Sequence, residues 1–225
     1  LDILGQIRTA WEKEPEKIVQ SGSLLSQYLE TQNQLLKGVE VLDEMVLKAA
    51  YDSLASSFDD EFGGFGWAPK FPPSMRLQLL LRIARRTGEP VALEMAEKTL
   101  DHMARGGIYD HLGGGFHRYS TDERWLVPHF EKMLYDNASL AWTYLEAYQV
   151  SGKAMYSRVA RAILDYVLKE MTHPGGGFYS AQDAGEVGEE GAFYVWHTSE
   201  LREFLSPQEF ALFEKVYGLS EPNNF

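Results

Sequence analysis

The residues best suited to chemistry in this 225-residue chain cluster between Gly113 and Asn137, GGGFHRYSTDERWLVPHFEKMLYDN. His117 and His129, two of the six histidines, both lie there. Histidine changes charge near neutral pH and serves as a general acid or base. His117 follows three glycines and precedes Arg118 and Tyr119, so an adaptable backbone can aim these side chains into a cleft. The plainer reading is a loop histidine bonded to a neighbouring carbonyl. Proline is well placed in a first helical turn, so a helix is expected to start at Pro128. His129, Lys132 and Asp136 would then share one face, with Glu131 and Tyr135 on the next. A histidine with a carboxylate one or two turns away is what proton transfer needs. His117, His129, Glu131 and Asp136 are therefore the candidate catalytic residues. The same spacing also fits a surface Lys132–Asp136 pair worth a few tenths of a kcal/mol, or Asp136 as a cap for a helix beginning at Asn137. The paired-histidine spacing of a zinc site is absent, so neither a metal nor a cofactor is assigned.

Two further segments carry candidate groups. Asp183, Glu186, Glu189 and Glu190 lie in a glycine-spaced loop, flanked by Tyr179 and Phe193-Tyr194-Val195-Trp196. Paired carboxylates serve glycoside chemistry, although such runs are more often solvated loops. The stretch from Gly63 to Pro73 lacks a lysine-Ser/Thr signature and is not a phosphate loop. Its Lys70 would hold a ligand anion or, as the favoured role, a loop carboxylate. Trp67, Tyr119 and Trp125 would line a groove, since aromatic faces suit flat ligands and sugars, although the plainer and favoured reading of any single aromatic is that it fills a wide interhelical space. With Lys70, Arg118, Asp183 and Glu190 they form the candidate substrate-binding set.

These segments sit between helices. Apolar periodicity predicts a helix over 3–31, broken near Glu14-Pro15, with Ile18, Leu24, Leu25, Tyr28 and Leu29 as an apolar side. A second helix is predicted over 38–57 from Val39, Leu42, Met45, Val46, Ala49 and Ala50. A third starts at Ser74, the expected N-cap, and is apolar on most sides, which implies deep burial. Helices over 91–105, 129–151 and 154–171 follow, then 198–205 and 207–217, capped by Thr198 or Ser199 and by Ser206. In 129–151, Phe130, Met133, Leu134, Leu140, Ala141, Tyr144, Leu145 and Tyr148 are expected to pack. Phe178–Ser180 and Ala192–Trp196 read as short β runs, a hairpin packed on helices.

A repeat organises the whole. Gly64-Phe65, Gly115-Phe116 and Gly177-Phe178 each follow a helix, and the phenylalanines recur at intervals of 51 and 62 residues. Each interval holds an irregular segment and two helices. Helical hairpins at a near-fixed period predict a ring or solenoid with these loops gathered on one face, where a site would be built. Helix capping explains the glycines but not the recurring phenylalanine.

Composition narrows the partners. A net charge of −12 without a basic run argues against nucleic acid and anionic membranes. No apolar run approaches the ~18 residues of a membrane span. The absence of cysteine excludes disulfides and thiolate chemistry within this chain and fits a reducing, cytoplasmic setting. The first residues do not read as a signal peptide.

GGFGWAPKFPP (63–73), DHLGGGFHRYSTDERWLVPHFEKMLYDNA (110–138) and EGAFYVW (190–196) together resemble the thioredoxin-domain-containing family of the spermatogenesis-associated type. The resemblance covers nearly the whole chain. It implies an all-α, partial (α/α)6 toroid of the six-hairpin glycosidase kind, similar to N-acylglucosamine 2-epimerase and unsaturated glucuronyl hydrolases. It also implies a longer protein with an N-terminal thioredoxin-like domain. Residues 1–37 would then be linker helices, and 38–225 the first part of the toroid. The implied partners are a carbohydrate ligand, the thioredoxin-like domain and the other toroid half. Asn223 stands where the family motif ending in Asn224-Phe225 has glycine, and residues 183–186 lack one acidic residue of the family pattern.

Overall fold

The computed structural model describes residues 2–34, 44–186 and 188–219. The expected starts of the 38–57 helix and of the toroid at 38, and the motif at 223–225, lie outside them. The chain divides into two compact units, Leu1–Ala49 and Ala50–Phe225.

In the first unit, α1 (Asp2–Lys13) and α2 (Pro15–Gln34) break at the expected proline. Proline has no N–H to donate and is tolerated at a first helical position. The expected apolar side of α2 is open to solvent, with Ile18, Leu24, Leu25, Tyr28 and Leu29 all exposed. Helix α3 (Glu44–Ser57) runs across the division. Its Met45 and Val46 are exposed, and Leu54 is its buried residue.

In the second unit, α4 (Ser74–Thr87) and α5 (Pro90–Arg105) form one hairpin, and α6 (Leu134–Ser151) and α7 (Ala154–Glu170) form the next. Gly88 and Gly152, with φ of 74° and 71°, end α4 and α6 in the left-handed conformation that glycine adopts without strain. Helix α4 buries one stripe, Leu77, Leu80, Leu81 and Ala84, and leaves Met75, Arg76, Arg82 and Arg85 in solvent. It is amphipathic rather than buried all round, and its N-cap is Pro73, not Ser74. Helix α5 buries Ala92, Met95, Ala96, Thr99, Leu100, Met103 and Ala104. The hairpins are joined by core hydroxyls: Tyr144 donates to the Leu100 carbonyl at 2.9 Å, and Tyr156 to Asp101 Oδ1 at 2.8 Å. Both satisfy a polar tip that burial would otherwise leave unpaired. Leu145 and Tyr148, expected to pack, are exposed. Helices α8 (Thr198–Phe204) and α9 (Pro207–Tyr217) follow, each with a capping box. Ser206 caps α9 as expected, whereas His197 precedes α8 in place of Thr198 or Ser199.

The loops repeat as closely as the sequence suggests. Phe58 bridges Phe65, Tyr109 bridges Phe116, and Thr172 bridges Phe178. In each loop the next residue, Asp59, Asp110 or His173, donates its N–H to the glycine before the phenylalanine, at 3.0 Å. Each also accepts from the glycine before that, at 2.9 Å. Glycine is obligatory in the second loop: Gly115 has φ of 77°, and a Cβ there would lie 2.5 Å from the Tyr166 ring.

Consecutive loops are stitched together. Lys70 of the first bridges Ser120 of the second. Within the second loop, β1 (Tyr119–Ser120) pairs antiparallel with β2 (Pro128–His129). β3 (Lys132–Met133) then pairs with β4 (Ala181–Gln182) of the third loop. The expected helix over 129–151 therefore starts only at Leu134. Residues 128–133 are extended and alternate: Pro128, Phe130 and Lys132 are buried, while His129, Glu131 and Met133 are half-buried. Pairing on both sides overrides the helical preference of Glu131, Lys132 and Met133. The β segment near 178–196 is Ala181–Gln182 with its partner in the second loop, and Ala192–Tyr194 forms turns.

Candidate functional site

The extended 128–133 strand separates the candidate residues by alternation rather than along a helix face. On the outward side, His129 donates from Nδ1 to Glu190 Oε1 at 2.5 Å, because a carboxylate can only accept. Its Nε2 lies 3.7 Å from Glu131 Oε2. Arg118 Nη1 donates to the same Glu131 oxygen at 2.7 Å. Tyr119 stacks on the His129 ring at 4.9 Å, and its centroid lies 4.8 Å from that of Phe71. Asp136, in the first turn of α6, is half-buried, and its Oδ2 has no hydrogen-bond partner. Burial pushes its carboxyl up to about 6, with Arg118 opposing and Glu131 reinforcing the rise. His129, Glu131, Asp136, Arg118, Tyr119 and Glu190 thus come together. The cluster holds a histidine whose tautomer is fixed by one carboxylate and whose other nitrogen faces a second. A proton accepted at Nε2 would be met by Glu131.

The other candidates lie elsewhere. His117 is only 2% exposed and donates from Nδ1 to the Phe130 carbonyl at 2.9 Å. The rings of Phe130 and Tyr194 approach it edge-on. Burial, helped by the Lys132 charge, lowers its pKa to about 4. It is a neutral structural histidine, not a partner for His129. Trp125 is fully buried, packs on Lys70 and donates its indole N–H to the Phe62 carbonyl at 2.9 Å, so it lines no groove. Trp67 is exposed. Asp183 is exposed and accepts the Ala184 N–H within its own loop.

Lys70 has the structural role, and its arrangement is built twice. Buried Lys70 donates to Asp59 and to the Gly63 carbonyl at 2.8 Å. Buried Lys132 donates to Asp110 at 2.7 Å and to the Gly114 carbonyl at 2.9 Å. Each aspartate also accepts two backbone N–H groups of its own loop: Glu61 and Phe62 for Asp59, Leu112 and Gly113 for Asp110. Burial alone would raise both carboxyls, but the lysine and backbone hydrogen bonds hold them below the usual range. In the third loop His173 stands at this place and accepts the Gly175 N–H at 2.9 Å. The repeated Asp-x3-Gly-Gly-Phe at 59–65 and 110–116 is the sequence signal for the knot. Asn137 gave no such signal. Fully buried, it accepts the Phe116 N–H at 2.7 Å and donates to the Phe116 and Met133 carbonyls.

Among the described residues no helix is long and apolar enough to cross a membrane, and no three His, Cys, Asp or Glu side chains form a metal-binding group.

Fold and loop architecture define a class: a helical-hairpin toroid of the sugar-epimerase and six-hairpin glycosidase kind. A sugar epimerase from a ruminal bacterium superposes with a TM-score of 0.55 at 20% identity, covering 60% of this chain and 37% of that one. Cellobiose 2-epimerase from Bacillus thermoamylovorans gives 0.53 at 15%, over 61% and 40%. An unsaturated glucuronyl hydrolase specific for heparin gives 0.51 at 12%, over 62% and 43%. At these identities the likeness is one of fold. In sequence the chain is similar to human spermatogenesis-associated protein 20, 40% identical over 233 residues that span 98% of this chain and 29% of the human protein. The mouse protein of that name is 46% identical over 182 residues, 76% of this chain and 22% of the relative. No family model matches the chain.

Proposed function

We propose that the chain is a segment of a protein of the spermatogenesis-associated, thioredoxin-domain-containing kind, and that its loop face acts on a carbohydrate by proton transfer at His129. One observation carries this reading: His129 is held by Glu190 at Nδ1 and faces Glu131 at Nε2 beside the Phe71–Tyr119 ring pair. His129 takes a proton from a sugar carbon next to a carbonyl and returns it, the chemistry of an isomerase or epimerase. Glu190 fixes the tautomer, Arg118 positions Glu131, and Asp136 is a second acid within the cluster. The fold likeness to sugar epimerases supports the substrate class. Glycosidase-like hydrolysis is less well served, because Glu131 and Glu190 are both engaged with His129.

The test is solvent deuterium uptake. The full-length protein, incubated with a panel of reducing sugars in D2O, is expected to place deuterium on carbon. His129→Ala should abolish the uptake without changing the melting temperature, since the side chain is partly exposed. Uptake that survives in His129→Ala would sink the reading.

A second reading has its own support. Buried His117 and Lys70 are bonded to backbone carbonyls and fix loops, which suits a non-catalytic toroid presenting partners to a thioredoxin-like domain. Partner capture by the full-length protein that persists after deletion of residues 38–225 would rule this out.

A further inference from the structure

The knot built twice is closed in one copy and open in the other. Over Lys70 the fully buried Trp125 ring lies 5.7 Å from Nζ and seals the site. Over Lys132 there is instead a cleft of about 570 Å3, lined by Asp110, Tyr166, Gln182, Tyr194 and Trp196 among others. That is within the usual size range of small-molecule sites.

We infer that this cleft is a binding subsite for an uncharged pyranose ring, resting on the reading that the loop face acts on carbohydrate. Four charged residues line it, and they pair off: Lys132 with Asp110 at 2.7 Å, and Lys169 with Glu170 at 2.9 Å. Among the described residues each lining cation already faces a carboxylate, so a ligand carboxylate or phosphate would have to compete with Asp110 or Glu170 for it. The apolar faces are aromatic: Phe193 is 86% and Trp196 49% exposed, and the Tyr166 and Tyr194 rings lie 4.5 and 5.1 Å from the Lys132 ammonium. The Tyr166 hydroxyl donates to Gln182 Oε1 at 2.7 Å, which fixes the carboxamide and presents its NH2 as a pair of donors. An aromatic wall with a neutral, donor-rich edge matches a ring with apolar C–H faces and equatorial hydroxyls. Tyr194 also stacks on Phe130, and the same loop carries Glu190 to His129. One loop therefore connects the cleft with the proton-transfer cluster.

The test is a ligand-observed NMR titration of the full-length protein with methyl glucoside and cellobiose, against glucuronate and glucose 6-phosphate. The neutral sugars should bind at least tenfold more tightly than the charged ones. Gln182→Ala and Trp196→Ala should each weaken neutral-sugar binding at least tenfold, while Arg85→Ala, on the exposed face of α4, leaves it unchanged. Gln182→Ala serves if Trp196→Ala fails to fold. Equal binding of the charged sugars, parental affinity in the folded cleft variants, or no binding of any probe would overturn the inference. Binding lost in His129→Ala but kept in Gln182→Ala would remove the cleft and leave the His129 reading standing.

Discussion

At the residue scale, the two histidines of the 113–137 stretch look alike in sequence and have opposite environments. His117 is buried and its pKa falls from 6.5 to about 4, chiefly through desolvation. The unfolded chain thus binds the proton more readily, so His117 contributes stability above pH ~6.5 that is lost as pH falls towards 4. The shift corresponds to roughly 3 kcal/mol. His117→Gln should lower stability at pH 7.5 yet flatten its decline between pH 6.5 and 4, read by urea unfolding across that range; an unchanged slope would sink the assignment. Asp136 acts in the other direction. Its raised pKa means the fold favours the protonated form, so stability falls as pH rises from about 4 through about 6. Asp136→Asn should therefore raise the melting temperature at pH 7.5 by a few degrees, from about 1 kcal/mol after allowing for solvent screening. At pH 4 it should change little. What separates His117 from His129 is packing: the Phe130 and Tyr194 rings cover His117, whereas His129 lies on the half-buried side of the extended 128–133 segment. That difference was not legible, because no local pattern announces which side of 128–133 is inside.

At the element scale, the helices were legible and the strands were not. Apolar periodicity and the Pro15, Pro90 and Pro207 starts place most helices within a few residues. The 128–133 segment misleads because its inward residues include Lys132: a period-two pattern with a lysine inside reads as no pattern at all. That lysine is buried only because Asp110 and the Gly114 carbonyl accept its hydrogen bonds. Removing one member of such a pair strands the other charge, which costs about 3–5 kcal/mol. Lys132→Met should accordingly destabilise the chain by about that amount, and Lys70→Met similarly. The double change Lys132→Met with Asp110→Asn should recover most of the loss, because asparagine can still accept the Leu112 and Gly113 N–H groups through its carbonyl. Urea unfolding of the three variants decides it. A loss below about 1 kcal/mol in Lys132→Met would mean that the Asp110 carboxylate is satisfied without the lysine, and that the buried pair is not a tie.

At the scale of the 50–225 unit, the recurring Gly-Phe pairs made the loop repeat legible, but not how one loop holds the next. The knot lysine follows its phenylalanine by 5 residues in the first loop and by 16 in the second, so no fixed spacing marks it. The difference is the turn after Ser120. There Asp122 accepts the N–H groups of Arg124, Leu126 and Val127, and Trp125 takes a φ of 66° to fold back over Lys70. The loops consequently share backbone pairing as a sheet does. Lys70 and Ser120 exchange both N–H bonds at 2.9 Å, Arg118 donates to the Glu131 carbonyl at 2.8 Å, and Leu134 to the Ser180 carbonyl at 3.0 Å. Irregular surface loops open locally and lose amide protection first. These amides should not: breaking any one pairing exposes a buried lysine or the Phe116 backbone that Asn137 clamps. Hydrogen exchange of Lys70, Arg118, Ser120 and Leu134 should therefore match that of Leu140 and Tyr144 in α6, and slow in parallel with them as stability is raised. The Gly188–Glu190 amides should exchange far faster. Loop-like exchange at Ser120 would show that the three loops move independently and that their shared face is not a preformed site.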